Sequence, residues 1–274
     1  EHGPRRGTST ASPENLFYNF ANPRAARDNA VQGGADQMSL TKFAASLDIK
    51  DLGLTGAEVK IDPAAITFWG HSQGATEGGI AAPYMAELAG VVFSGQGASL
   101  LDALLTKTSP VDIAAALPFA LSDVDPSTPS GLRGDGMHPV LSLLQMYLDP
   151  ADPLNHAALI APAALGGHHV FQVYGQKDTF SPPITEMTYA VAAQLSVAPH
   201  DSSVTTADYP QQLPEKSGSI SANVGGRLTA VVRQYAPPAG IDGHFVAYQN
   251  PTARRDVVRF LDDLAKGIAP TVAP

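Results

Sequence analysis

Ser72 stands in Gly70-His71-Ser72-Gln73-Gly74, a G-x-S-x-G pattern that occurs once in the chain. A serine hydroxyl of ordinary pKa is a weak nucleophile, so acyl transfer needs a base beside it and a carboxylate to orient that base. The chain offers both downstream, acid first. Asp178 lies in Tyr174-Gly175-Gln176-Lys177-Asp178 and His244 in Asp242-Gly243-His244. Together they describe attack by Ser72, proton transfer through His244 and support of the imidazolium by Asp178. A helix beginning just after the serine would add the backbone N–H of Gln73 as an oxyanion donor. Other residues compete for these roles. Asp149 and Asp152 are reserve acids, His71 sits inside the turn itself, and His200 in Pro199-His200-Asp201 follows a helix with no strand to place it.

The same residue types could bind metal, but their spacing argues otherwise. His168 and His169 are adjacent on a strand and would point to opposite faces. Asp123, Asp125, Asp135 and His138 share a Pro/Gly-rich stretch that matches no calcium loop. No metal and no cofactor is expected. Cysteine is absent, which excludes a thiolate nucleophile, disulfides and thiolate-bound metal.

The elements around these residues alternate. Residues 65–69 form a β-branched and aromatic run, followed by a small-residue helix over 74–88. Residues 90–95 repeat the strand signal before a helix over 98–105, and 169–174 give a third strand ended by Gly175 before a helix over 182–195. Residues 227–235 alternate apolar and polar positions as a fourth strand near an edge, and 252–266 close the chain as an amphipathic helix on Val257, Leu261 and Leu264. Upstream, 22–47 fits a helix loosely and 8–21 reads as loop. Strand–helix alternation predicts an α/β fold, a mostly parallel sheet flanked by helices.

Between the second and third strands, residues 106–167 exceed what a crossover needs and carry apolar helical pieces. They are read as a cap inserted into a core formed by 1–105 and 168–274. Leu117, Phe119, Leu141, Leu144, Met146 and Tyr147 would give that cap an apolar underside suited to acyl or alkyl groups of medium length.

The 274 residues, 44% apolar, suffice for one large α/β domain. Seventeen basic against 26 acidic residues give a formal charge of −9, which argues against nucleic acid as a partner. No apolar run reaches the roughly 18 residues of a spanning helix. The first residues are polar and form no signal peptide, while the Lys-poor, Ala/Gly/Pro-rich composition suits an exported, extracytoplasmic bacterial protein.

From about residue 62 to the end, the chain resembles the α/β-hydrolase superfamily. The resemblance rests on the 70–74 motif, the Gly-x-x-Asp of Gly175 to Asp178, the Gly243-His244 pair and their order. A finer similarity, to bacterial lipase- and esterase-like members with a cap, rests on Asn22 to Met38 and on the position of the insertion. It implies ester hydrolysis, with a small-molecule ester or a lipid as substrate. A serine peptidase or amidase on the same fold, and a non-catalytic hydrolase-like binding module or fragment, stand as alternatives. The family places several strands before the elbow, and a His-Gly loop among them supplies the second oxyanion donor. His2-Gly3 could mark that loop, yet residues 4–60 contain no apolar strand to follow it. The first strands of the sheet are therefore expected to be missing from this sequence, with either a separate N-terminal segment completing the sheet or the sequence being an incomplete record, and the second donor is unassigned.

Overall fold

A computed structural model describes residues 7, 10–11, 13–19, 22–49, 59–116, 138–205, 213 and 215–274. The chain enters through α1 (Pro13–Tyr18) and α2 (Pro23–Ser46). Asn22 caps α2 by accepting the Ala25 N–H at 3.2 Å, with Pro23 in the first helical position. α1 falls where a loop was expected. Its stability is tertiary rather than local: Asn29 Nδ2 of α2 donates to Leu16 O and Phe17 O, both at 3.0 Å, and the Phe17 ring is buried. Two-residue strands β1 (Asp48–Ile49) and β2 (Val59–Lys60) pair antiparallel in a small sheet of their own.

The main sheet contains β3 (Thr67–His71), β4 (Gly90–Ser94), β5 (His169–Gly175), β6 (Ser196–Val197) and β7 (Ala230–Tyr235). All neighbours run parallel in the order β3-β4-β5-β7-β6, as the resemblance to the α/β-hydrolases implies. Consecutive residues of a strand face opposite layers. Val91, Phe93, Val170, Tyr174, Ala230 and Val232 pack on α3 (Gln73–Ala81) and α8 (Pro183–Ala192). Val92, Phe171, Val173, Val231 and Tyr235 pack on α10 (Pro251–Ala265) through Val257, Phe260 and Leu264. Both faces are covered, the usual condition of a parallel sheet.

β7 is near an edge as expected, the penultimate strand of the sheet, with only the short β6 beyond it. The polar residues that suggested a solvent face are buried and satisfied instead. Arg233 donates to Pro199 O at 2.8 Å and pairs with Asp256, which also accepts from Tyr235 OH at 2.8 Å. β3, in contrast, ends the sheet, with no strand beyond it among the described residues. The helix after Ser72 is also shorter than expected, because Pro83 leads into a 3-10 turn over Ala82–Tyr84.

Between β4 and β5 run α4 (Leu100–Thr106), α5 (Ile113–Ala116), α6 (Pro139–Leu148) and α7 (Leu154–Ala157). The short α9 (Val246–Gln249) precedes α10. No described helix is long and apolar enough to cross a membrane. Because the strands are parallel, the loops holding Ser72, Gly95, Asp178 and His244 all emerge at one edge of the sheet.

Candidate active site

β3 ends at His71, α3 begins at Gln73, and Ser72 makes the turn between them at φ 55° and ψ −123°. A non-glycine residue in that conformation stores strain. Neighbouring bonds hold it: the Ser72 N–H donates to Ser94 O at 2.9 Å, and the Ser72 carbonyl accepts from Ala75 and Thr76, both at 3.0 Å. Gln73 occupies the first helical position, where an N–H has no intrahelical acceptor and is free for a ligand. Gly70 is required by close approach, since a Cβ there would stand 2.7 Å from Gly74 O and 2.8 Å from Ala75 Cα. The G-x-S-x-G pattern suggests the same need at Gly74. The structure does not, because a Cβ on Gly74 meets nothing within 4 Å and its φ is not positive.

Asp178 and His244 come together through two backbone segments in contact. A Cβ on Gly175 would lie 2.0 Å from Gly243 O, and one on Gly243 would lie 2.0 Å from Gln176 O. Asp178 is buried; its Oδ1 accepts from Phe180 N at 2.8 Å and Ser181 N at 2.7 Å, and its Oδ2 from His244 Nδ1 at 2.8 Å. That bond puts the ring proton on Nδ1 and leaves Nε2 as the basic nitrogen. The His244 ring stacks on Phe180 at 4.7 Å and lies against Gly95, where any Cβ would stand 2.7 Å from Cε1 and Nδ1. Gly95 directly follows the residue whose carbonyl holds the elbow, so the imidazole and Ser72 share one strand end. The hydrogen bonds of His244 run to Asp178 and Asp242, and among the described residues none joins it to Ser72 Oγ.

Asp242 was not singled out from the sequence. It accepts from His244 N at 2.9 Å, Thr179 N at 3.2 Å and Thr179 Oγ1 at 2.6 Å, binding the histidine loop to the acid loop. Its signal was an Asp two residues before the histidine, the spacing of a capping side chain.

The reserve acids are committed elsewhere. Asp152, fully buried, accepts from Ser99 N, Leu100 N, Gln145 Nε2 and Leu154 N at 2.7–3.0 Å. Asp149 accepts from Gln145 Nε2 at 2.9 Å. His200 pairs with Glu215 at 2.7 Å. His168 Nδ1 donates to Leu88 O at 2.9 Å and His169 Nδ1 accepts from Thr229 N at 3.0 Å. His138 caps α6, and Asp123, Asp125 and Asp135 lie outside the described residues, as do His2 and Gly3. His71 bonds Ser94 Oγ at 2.9 Å and packs 4.7 Å from the His244 ring. Burial, with a smaller push from His244, lowers its pKa to about 4.

Ser72 and Gln73 open onto a cavity of about 480 Å³, walled by Leu100, Leu104, Ile113, Leu144 and Leu148, with Glu77, Arg27 and Lys107 as charged groups at its lining. Of the residues expected to form an apolar underside, Leu144 lines this cavity. Leu141 is buried in packing, Met146 is 70% exposed, and Tyr147 lies under the Arg27 guanidinium. Leu117 and Phe119 fall outside the described residues.

The chain is thus an α/β protein whose parallel sheet carries a strained serine turn and a buried Asp–His pair at one edge. No protein-family model and no curated protein matches it. Among solved structures it is similar to acetyl xylan esterase 1 from Thermoanaerobacterium sp. JW/SL YS485, with 16% identity and a TM-score of 0.41 over 76% of this chain and 48% of that one. The chain spans about half the length of that esterase. It is also similar to DcsB in complex with its substrate analogue, with 15% identity and a TM-score of 0.44 over 95% of this chain and 77% of that one.

Two outcomes follow from the site's packing. Gly70→Ala should destabilise the fold by about 1–3 kcal/mol through overpacking, whereas Gly74→Ala should be neutral or stabilising by up to about 1 kcal/mol, as denaturant midpoints will read. His71 binds its proton less readily folded than unfolded, so the stability it lends is present above about pH 6.5 and is lost as the pH falls towards 4. His71→Asn should flatten the fall of Tm between pH 6.5 and 4; an unchanged slope would show that His71 is not buried neutral.

Proposed function

We propose that the chain is a serine hydrolase of the α/β-hydrolase type that cleaves carboxylic esters through an acyl-enzyme, with Ser72, His244 and Asp178 as its triad. The observation that carries the proposal is the buried 2.8 Å contact between Asp178 and His244 at the sheet edge where Ser72 makes its strained turn. Ser72 Oγ attacks the ester carbonyl while His244 Nε2 takes the hydroxyl proton. Negative charge gathers on the carbonyl oxygen beside the Gln73 N–H, and the imidazolium is held by Asp178. The intermediate collapses, the C–O bond to the alcohol breaks, and the alcohol leaves with the proton from His244. Water, deprotonated by the same nitrogen, then releases the acid and frees Ser72.

The leucine-rich cavity favours an apolar acyl or alkyl chain, and on this view residues 106–167 act as a cap over it. Among the described residues no strand lies beyond β3, and this edge, with Trp69 40% exposed, suits a further strand.

A fluorophosphonate probe should label Ser72, and Ser72→Ala should abolish labelling while lowering hydrolysis of p-nitrophenyl esters by a factor on the order of a million if the machinery is complete. More than about a tenth of wild-type turnover in that variant would exclude Ser72. Asp178→Asn should lower kcat by about 10⁴ while Asp149→Asn stays near wild type. Faster cleavage of the matching p-nitroanilides would replace the esterase assignment with an amidase.

A further inference from the structure

Lys107 caps the C-terminus of α4 and lines the same cavity as Ser72. The acid loop fixes it from behind, because Thr108 N and Ser109 N both donate to Thr179 O at 3.1 Å, one residue beyond Asp178. Its ammonium has neither a hydrogen bond nor an ion pair among the described residues. What it has is the Tyr18 ring, with its centroid 5.3 Å from Nζ, and the longer-range attraction of Asp178. Burial in this wall pushes the Lys107 pKa down, against that attraction. The other cation of the cavity is differently placed, since Arg27 is ion-paired with Asp28 at 2.7 Å and covers the Tyr147 ring. The carboxylate of Glu77 accepts from Gln73 Nε2 at 2.8 Å.

A half-buried ammonium with unused donors is unfavourable unless something supplies acceptors. The cavity it lines has largely apolar walls, among them Leu100, Leu104 and Ile113, and holds Ser72. We infer that Lys107 receives an anionic terminus of the substrate, so that the substrate class is hemiesters of dicarboxylic acids: an ester carbonyl at Ser72, an apolar spacer through the cavity and a carboxylate at Lys107. This inference rests on the esterase proposal for its chemistry, though the anion site does not need turnover in order to be measured.

The test measures binding first. In Ser72→Ala protein, calorimetry compares the monomethyl esters of the C4 to C8 dicarboxylic acids with methyl esters of monoacids of equal length. At one length the anion should bind at least tenfold tighter, and that length reads the span from Ser72 to Lys107. Lys107→Met should erase the difference, Lys107→Arg should keep most of it, and added salt should shrink it. Lys266→Met, which removes a remote surface charge, should leave it unchanged. Equal affinities at every length, or a preference that survives Lys107→Met, overturn the inference. Kinetics on unaltered Ser72 then separate the two proposals. Hydrolysis of neutral p-nitrophenyl esters with no lower KM for the hemiesters overturns the Lys107 assignment alone; anion binding without hydrolysis of either class overturns the esterase proposal alone. If Lys107→Met lowers kcat for both classes with KM unchanged, Lys107 acts on Asp178 rather than on substrate, and the inference fails.

Discussion

Two backbones in contact hold the candidate site together. Gly175 at the end of β5 and Gly243 before the histidine sit so close that neither could carry a side chain. With these segments touching, Asp178 and His244 need only short reaches to meet, and Asp242 ties the same two loops a second time. The constraint is steric, so it holds at any pH and salt concentration, unlike the charge interaction it sets up. Gly95 repeats the device on the other side by letting the imidazole lie against the main chain.

Much of this was legible in the sequence because the relevant signals are local. A strand, a G-x-S-x-G turn and a helix in succession fix the elbow, and parallel strands bring successive βα loops to one edge wherever their helices lie. The order serine, aspartate, histidine then left few candidates. Local signals failed where tertiary contacts decide. The alternation in β7 suggested a strand half in water, yet Arg233 is inside with its own carboxylate and carbonyl acceptors. α1 lacks a periodic apolar face and exists because α2 caps its end. Asp152 was weighed as an acid because it is an aspartate near a turn; that its donors come from α4, α6 and the start of α7 cannot be read from spacing. Gly70 and Gly74 look alike in the motif, yet only Gly70 is held by close approach, since a motif shows that a glycine is present and not what stands beside it.

His71 shows how a neighbour of the proposed nucleophile can matter without joining the proposed chemistry. It packs against His244, and burial keeps it uncharged well below neutrality. A second positive charge there would disfavour the imidazolium that the proposed mechanism forms on His244. A neutral ring bound to Ser94 keeps the space filled and the local field simple.

The four bonds to Asp152, together with Gln145 bridging to Leu101 N, lock α4, α6 and the start of α7 into one block, whose α4 and α6 form part of the cavity wall. Such a wall yields as a unit or not at all, because moving one helix strands a buried carboxylate. A ligand slightly too long therefore gains little from small local adjustments. On the proposed function, tolerance for chain length would be a threshold rather than a slope, set by a buried side chain that does not itself line the cavity.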